Sequence, residues 1–243
     1  KKKKIEASQV FNESFTSIFA GNIPRSAGMR QFSQDDTEAA QTKLGLYSQD
    51  EEGNWRVDPK KKALRMANHT RCYHQKPTAS DIRDAVALQF SSGEGAIQFV
   101  PEAIARANMD LLGPVNNGKT AFLNAYTEVG RESAKLFLAK CAKEVGYEMD
   151  ERELSHRMDR YGLNPCGEII GRDFHCNLAE VHLNTIKPTD YETQEKAFYA
   201  AGLQVAALLQ HEFVHDRYQY SRLVDPIVGV SFTGFFDFMV HAP

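Results

Sequence analysis

A chain of 243 residues with 42% hydrophobic and 25% charged side chains has an ordinary globular composition, sufficient for one large domain or two small ones around a sizeable core. With a net charge of -3 nothing in the overall balance argues for a nucleic-acid or membrane surface, and the four lysines at positions 1–4 read as a solvated end. No apolar run approaches the roughly 20 residues that span a bilayer, no signal core follows the basic start, and four cysteines without CxxC spacing resemble neither a disulfide framework nor a structural zinc site; a cytoplasmic protein is expected.

In chain order, residues 5–20 have a loosely helical apolar rhythm that Gly21, Pro24 and Gly28 end in a loop. Residues 33–62 are polar and turn-rich around the single tryptophan, Trp55, expected as a partly buried anchor. From Asp81 the pattern DIRDAVALQF predicts a helix, SSGEGAIQF a glycine-rich break, and PEAIARANMDLL a helix with Pro101 in its first turn. A long helix is expected over 119–145 and a shorter one over ERELSHRMDRYG, ending at Gly162. Thr189 and Glu192 have capping-box spacing ahead of a helix expected over 196–218. The tail, PIVGVSFTGFFDFMV, begins as a buried β-type run. Short strands scattered between helices predict an α/β architecture, and without repeat or linker residues 1–243 read as a single region.

Three motifs compete to define the chemistry. GPVNNGKT, residues 113–120, fits the phosphate-cradling pattern, but that cradle needs a buried strand feeding the glycine turn, and the preceding ARANMDLL is helical. A helix–loop–helix connection is the better reading. HEFVH, residues 211–215, would place His211 and His215 on one face of the expected helix to bind zinc, with Glu212 activating water as in a metalloprotease. The extended form of that motif would need glycine and histidine where this chain has Tyr218 and Ser221, so a polar helix end with surface histidines is the better reading. In NPCGEI, an extended backbone over 164–168 would project Asn164, Cys166 and Glu168 to one side. A hairpin centred near Arg172 would then bring Cys176 level with Glu168. A buried structural cysteine beside a turn fits the same spacing.

NPCGEI followed by FHCNLAEVHLN resembles the catalytic subunit of the adenosylcobalamin-dependent, class II ribonucleoside-triphosphate reductases. AGNIPRSAGMRQ, GNWRVDPKKKALRMANHTRCYHQKPT, SGEGAIQFVPEAIARANMDLL and DPIVGVSFTGFFDF are similar to the same family, extending the resemblance from about residue 20 to the C-terminus. It implies the central part of a ten-stranded α/β barrel with a catalytic finger loop, residues 163–184 forming that loop and the strand after it. Cys166 would be the thiyl-radical residue, Glu168 the general base on the ribose 3′ hydroxyl, Asn164 a substrate-holding amide and Cys176 one of the reducing cysteine pair. Implied partners are adenosylcobalamin as radical source, a ribonucleoside triphosphate substrate, a deoxynucleotide effector and a thioredoxin-type reductant. No protein-held metal, membrane or nucleic acid is expected.

Residues 21–28 resemble the loop that carries effector specificity, with Arg25 and Ser26 as its candidate contacts. Family members usually have paired arginines there, where this chain has Pro24 before Arg25; proline removes a donor and fixes the backbone. Family members also run several hundred residues, so the chain is expected to be a split subunit or an excerpt. The partner of Cys176 would then lie in the missing N-terminal part, and complementary chains would complete the barrel. Cys72 stands where the family usually has an apolar residue and is not assigned to the redox pair, and Cys141, on a helix, reads as core. A reductase-like scaffold without turnover and the zinc metalloprotease are the alternative functions.

Overall fold

A computed structural model describes residue 10 and residues 28–241; the expected helix at 5–20 and the loop at 21–28, with Arg25 and Ser26, lie outside the described residues except at Val10 and Gly28. The architecture is mixed α/β. The chain divides into two compact units, residues 1–171 and 172–243, and the division falls inside the segment 163–184.

The first unit is built on a parallel sheet in the order β1 (Gly28–Ser33), β4 (Ala67–Tyr73), β5 (Ala96–Phe99). Central β4 is covered on both faces, so Ala67, His69, Thr70, Cys72 and Tyr73 are all buried. Between β1 and β4 lie α1 (Thr37–Gln41), capped by the Asp36 carboxylate, an antiparallel pair β2 (Tyr47–Gln49) and β3 (Trp55–Val57), and a 3₁₀ segment, Pro59–Met66. Trp55 is not the expected anchor: on the two-stranded β2–β3 ribbon it is 66% exposed. The capping box that does form joins Thr78 and Asp81 at the start of α2 (Ala79–Ser92), which Gly93 ends with φ +75°.

A helical layer follows: α3 (Val100–Arg106), α4 (Met109–Leu112), α5 (Gly118–Asn124), α6 (Arg131–Glu144) and α7 (Glu151–Met158). Ile104, Leu112, Phe122, Leu138 and Met158 are its fully enclosed centre. The single helix expected over 119–145 is divided, because a π-helical turn at Ala125–Val129 leads to Gly130, whose φ of +133° no helix tolerates. Arg157, also buried, is held by Asp110 and Glu153 at 2.8 Å each and by Asn108, so its charge is compensated. The unit ends in a minimal antiparallel pair, β6 (Gly162–Leu163) with β7 (Ile170–Gly171).

In the second unit, β8 (Cys176–His182) pairs in parallel with β9 (Ile227–Thr233), Cys176 opposite Ile227. The crossover contains α8 (Tyr191–Leu208) and α9 (Asp216–Val224); α10 (Phe235–Val240) closes the chain. The cap of α8 is Asp190, accepting from Thr193 N–H at 3.1 Å, one residue beyond the expected Thr189. Strand β9 forms as expected but is not a buried run, with Val228, Val230 and Phe232 exposed. Among the described residues the strands make separate sheets of three, two, two and two, none closed into a barrel. No described helix is long and apolar enough to cross a membrane.

Candidate functional site

Residues 164–168 are not extended. They form the turn between β6 and β7, so the expected alternation of side chains does not occur, and the hairpin is centred on Cys166 and Gly167 instead of Arg172. Three local features make the turn. Gly167 takes φ +79°, which an L side chain resists. Asn164 O accepts from Gly167 N–H at 3.0 Å, and the Asn164 side-chain oxygen accepts from Ile169 N–H at 3.0 Å, the self-capping habit of asparagine at turns. Pro165 fixes the backbone between them.

The turn still gathers the polar groups, by another route. Asn164 Nδ2 donates to Glu168 Oε1 at 2.5 Å, closing a ring across the base of the loop. Cys166 lies between these residues in sequence, exposed, with a free thiol. Amide, thiol and carboxylate therefore share one loop tip, with the amide already oriented by the acid.

The hairpin is fastened to the parallel sheet by residues that sequence reasoning did not single out. Gln31 on β1 donates to Tyr161 O at 2.9 Å and accepts from Leu163 N–H at 2.8 Å. Gln98 on β5 donates to the same Tyr161 carbonyl at 3.0 Å, and Asn68 on β4 donates to Pro165 O at 2.6 Å. A lone glutamine in a strand has the same letter pattern as a solvent-facing residue, so only the fold reveals this use.

Cys72 lies beside this fastening, 4% exposed, with Gln31 Nε2 at 3.4 Å from its sulfur; burial pushes its thiol pKa up, as it does for Cys141 inside α6. Both are core residues, as expected for Cys141. Cys176, half-buried, starts β8 in the second unit.

The competing motifs resolve structurally. GPVNNGKT joins α4 to α5, and Lys119 pairs with Glu102 at 2.5 Å, as the helix–loop–helix reading expects. HEFVH is not helical: α8 stops at Leu208, and His215 instead precedes α9. Tertiary contacts hold the segment open. Phe213 stacks on His175 at 4.4 Å, meets His211 edge-on at 4.9 Å, and lies 5.2 Å from the Arg222 guanidinium. The one-face histidine pair that zinc would need is absent, and among the described residues no three His, Cys, Asp or Glu side chains converge as metal ligands.

The best-formed cavities lie elsewhere. One of about 310 Å³ separates the sheet from α2 and is lined by Phe32, Lys43, His69, Arg71 and Glu94 among others. Asn164, Cys166 and Glu168 do not line it. No known protein-family profile, curated protein or solved structure matches the chain.

Proposed function

We propose that this chain is a piece of a ribonucleotide reductase catalytic subunit, acting by thiyl-radical chemistry once complementary segments complete it. The observation that carries the reading is the hydrogen bond from Asn164 to Glu168 across a turn that presents an exposed cysteine thiol. A relay thiol must be reachable by both a radical source and a sugar, and a loop tip provides that where a core cysteine would not.

In this reading Cys166, once the radical source has taken its thiol hydrogen, takes the hydrogen from ribose C3′, so that a C–H bond breaks as an S–H bond forms, and returns it after reduction. Glu168, accepting from Asn164, takes the 3′ hydroxyl proton, which assists departure of the 2′ hydroxyl as water once a thiol of the reducing pair has protonated it. The two electrons come from a dithiol that includes Cys176 and becomes a disulfide, which a thioredoxin-type protein resets. Cys166 does not line the cavity of about 310 Å³, so in this reading the adenosylcobalamin that the resemblance implies would be held together with complementary segments.

Exposed apolar side chains support incompleteness. Phe232, Phe235, Phe236, Met239 and Val240, 44–85% exposed along β9 and α10, are more apolar surface than one small unit ordinarily leaves in water. The ten-stranded barrel belongs to this proposal, as the architecture of the assembled enzyme.

The test is reconstitution with the complementary reductase segments and measurement of deoxynucleotide formation from ribonucleoside triphosphates. Cys166→Ser abolishes turnover, and Glu168→Gln lowers kcat by roughly 10²–10⁴, the usual contribution of a positioned base. Turnover that survives in Cys166→Ser rules the radical assignment out.

A further inference from the structure

We infer that Gln31 is a positioning residue for the Cys166 hairpin, acting as a substitute for a neighbouring strand. In a parallel pair, slanted bonds leave one residue by its N–H toward the carbonyl before its partner and return to its C=O from the N–H after that partner. The side-chain amide of Gln31 does this around Gly162, donating to Tyr161 O at 2.9 Å and accepting from Leu163 N–H at 2.8 Å. No backbone ladder makes this join, because β6 pairs with β7 while β1 pairs with β4. A side chain therefore couples the hairpin to the sheet.

The surrounding amides fix the arrangement. Gln98 Oε1 accepts from Gln31 Nε2 at 2.8 Å, while Gln98 Nε2 adds a second bond to Tyr161 O at 3.0 Å. Leu163 N–H requires an acceptor and Tyr161 O a donor, so the Gln31 amide has a single satisfactory orientation. Asn68 then holds Pro165 O, one residue before the thiol. Each strand of the parallel sheet thus contributes one amide, and together they set where the tip bearing Cys166 stands.

This inference rests on Cys166 being the reacting thiol; what it adds is the group that locates that thiol. In the reconstituted enzyme a displaced tip slows chemistry more than it weakens substrate binding, since misplacement of a reacting group by about 1 Å can cost 10²-fold.

The test uses the full chain and amide hydrogen exchange read residue by residue. Gln31→Met keeps the length and flexibility of the side chain but removes both bonds, whereas Gln31→Glu keeps an acceptor and, once its carboxyl is protonated in acid, a donor as well. Expected is exchange at Leu163 roughly tenfold or more faster in Gln31→Met, with protection in Gln31→Glu restored toward wild type as its carboxyl is protonated, and amides of α6 unchanged in both. In the reconstituted enzyme, kcat falls about tenfold or more in Gln31→Met, a larger change than any in KM. Wild-type exchange at Leu163 in Gln31→Met overturns the inference, because a space-filler tolerates an apolar chain of the same length. Faster exchange in Gln31→Met, with no nucleotide reduction in any wild-type assembly, keeps the fastening and removes the reductase reading. Normal reduction by Gln31→Met does the reverse.

Discussion

Replacing Gly118 with alanine asks what GPVNNGKT is for. A Cβ built at Gly118 would stand 2.3 Å from Leu112 O and 3.1 Å from Val115 Cβ. Even close C–H···O approaches keep carbon and oxygen about 3.3 Å apart, so the α4–α5 junction must open by about 1 Å. The obstacle is backbone, and the junction is pinned on both sides by Leu112 and Phe122, which are 1% and 0% exposed. Overpacking of this kind costs about 1–3 kcal/mol. For a unit of this size that lowers Tm by about 2–10 °C, measured as loss of helical circular dichroism on heating. Lys119→Ala gives the contrast: its ion pair with Glu102 is 35% and 28% exposed on the two sides and contributes about 1 kcal/mol at most. Neither variant alters the response to magnesium nucleoside triphosphate. If Gly118→Ala melts like the wild type, or if nucleotide stabilises the wild type and Lys119→Ala abolishes that effect, the structural account of these glycines is wrong.

Two further outcomes follow from burial. His69 is 6% exposed, and desolvation with the nearby Lys43 and Arg30 charges pushes its pKa down from 6.5 to about 3. The unfolded chain then binds the extra proton first, so stability falls as pH drops from about 6.5 toward about 3, by at most about 1.4 kcal/mol per pH unit for this group. His69→Leu flattens the Tm profile over that window, and an unchanged acid slope contradicts the assignment. Among the cysteines, native alkylation with iodoacetamide followed by peptide mass mapping should modify Cys166 well before Cys72 and Cys141, since the latter are buried with raised thiol pKa values. Prior labelling of either core thiol contradicts this.

Much of the first unit was legible because its signals are local. Pro101 opens α3 within its first turn, Gly93 closes α2, and ERELSHRM forms a helix as its pattern implies. Gly130 carried a break that a continuous apolar rhythm concealed. The misread segments are those where distant residues decide. HEFVH has no local reason to leave a helix; His175, remote in sequence, and Arg222, on the following helix, hold Phe213 away from it. NPCGEI is the candidate site of the sequence, but an extended backbone over 164–168 does not form, because Pro165 and Gly167 turn the chain between flanks that read as strand. The three sheet amides were invisible for the same physical reason: hydrogen bonds spanning 63–132 positions leave no mark on local periodicity.

The pair Gly162 and Gly171 at the foot of the hairpin has a thermal consequence. A Cβ at Gly162 would lie 2.7 Å from Gly171 O, so the neck is too narrow for side chains and hides little oil from water. To the extent that amides hold the loop down, detaching it exposes polar surface, which lowers heat capacity instead of raising it. Cooling weakens greasy interiors but not such a latch, so the thiol-bearing tip should be most firmly seated in the cold and loosen steadily on warming.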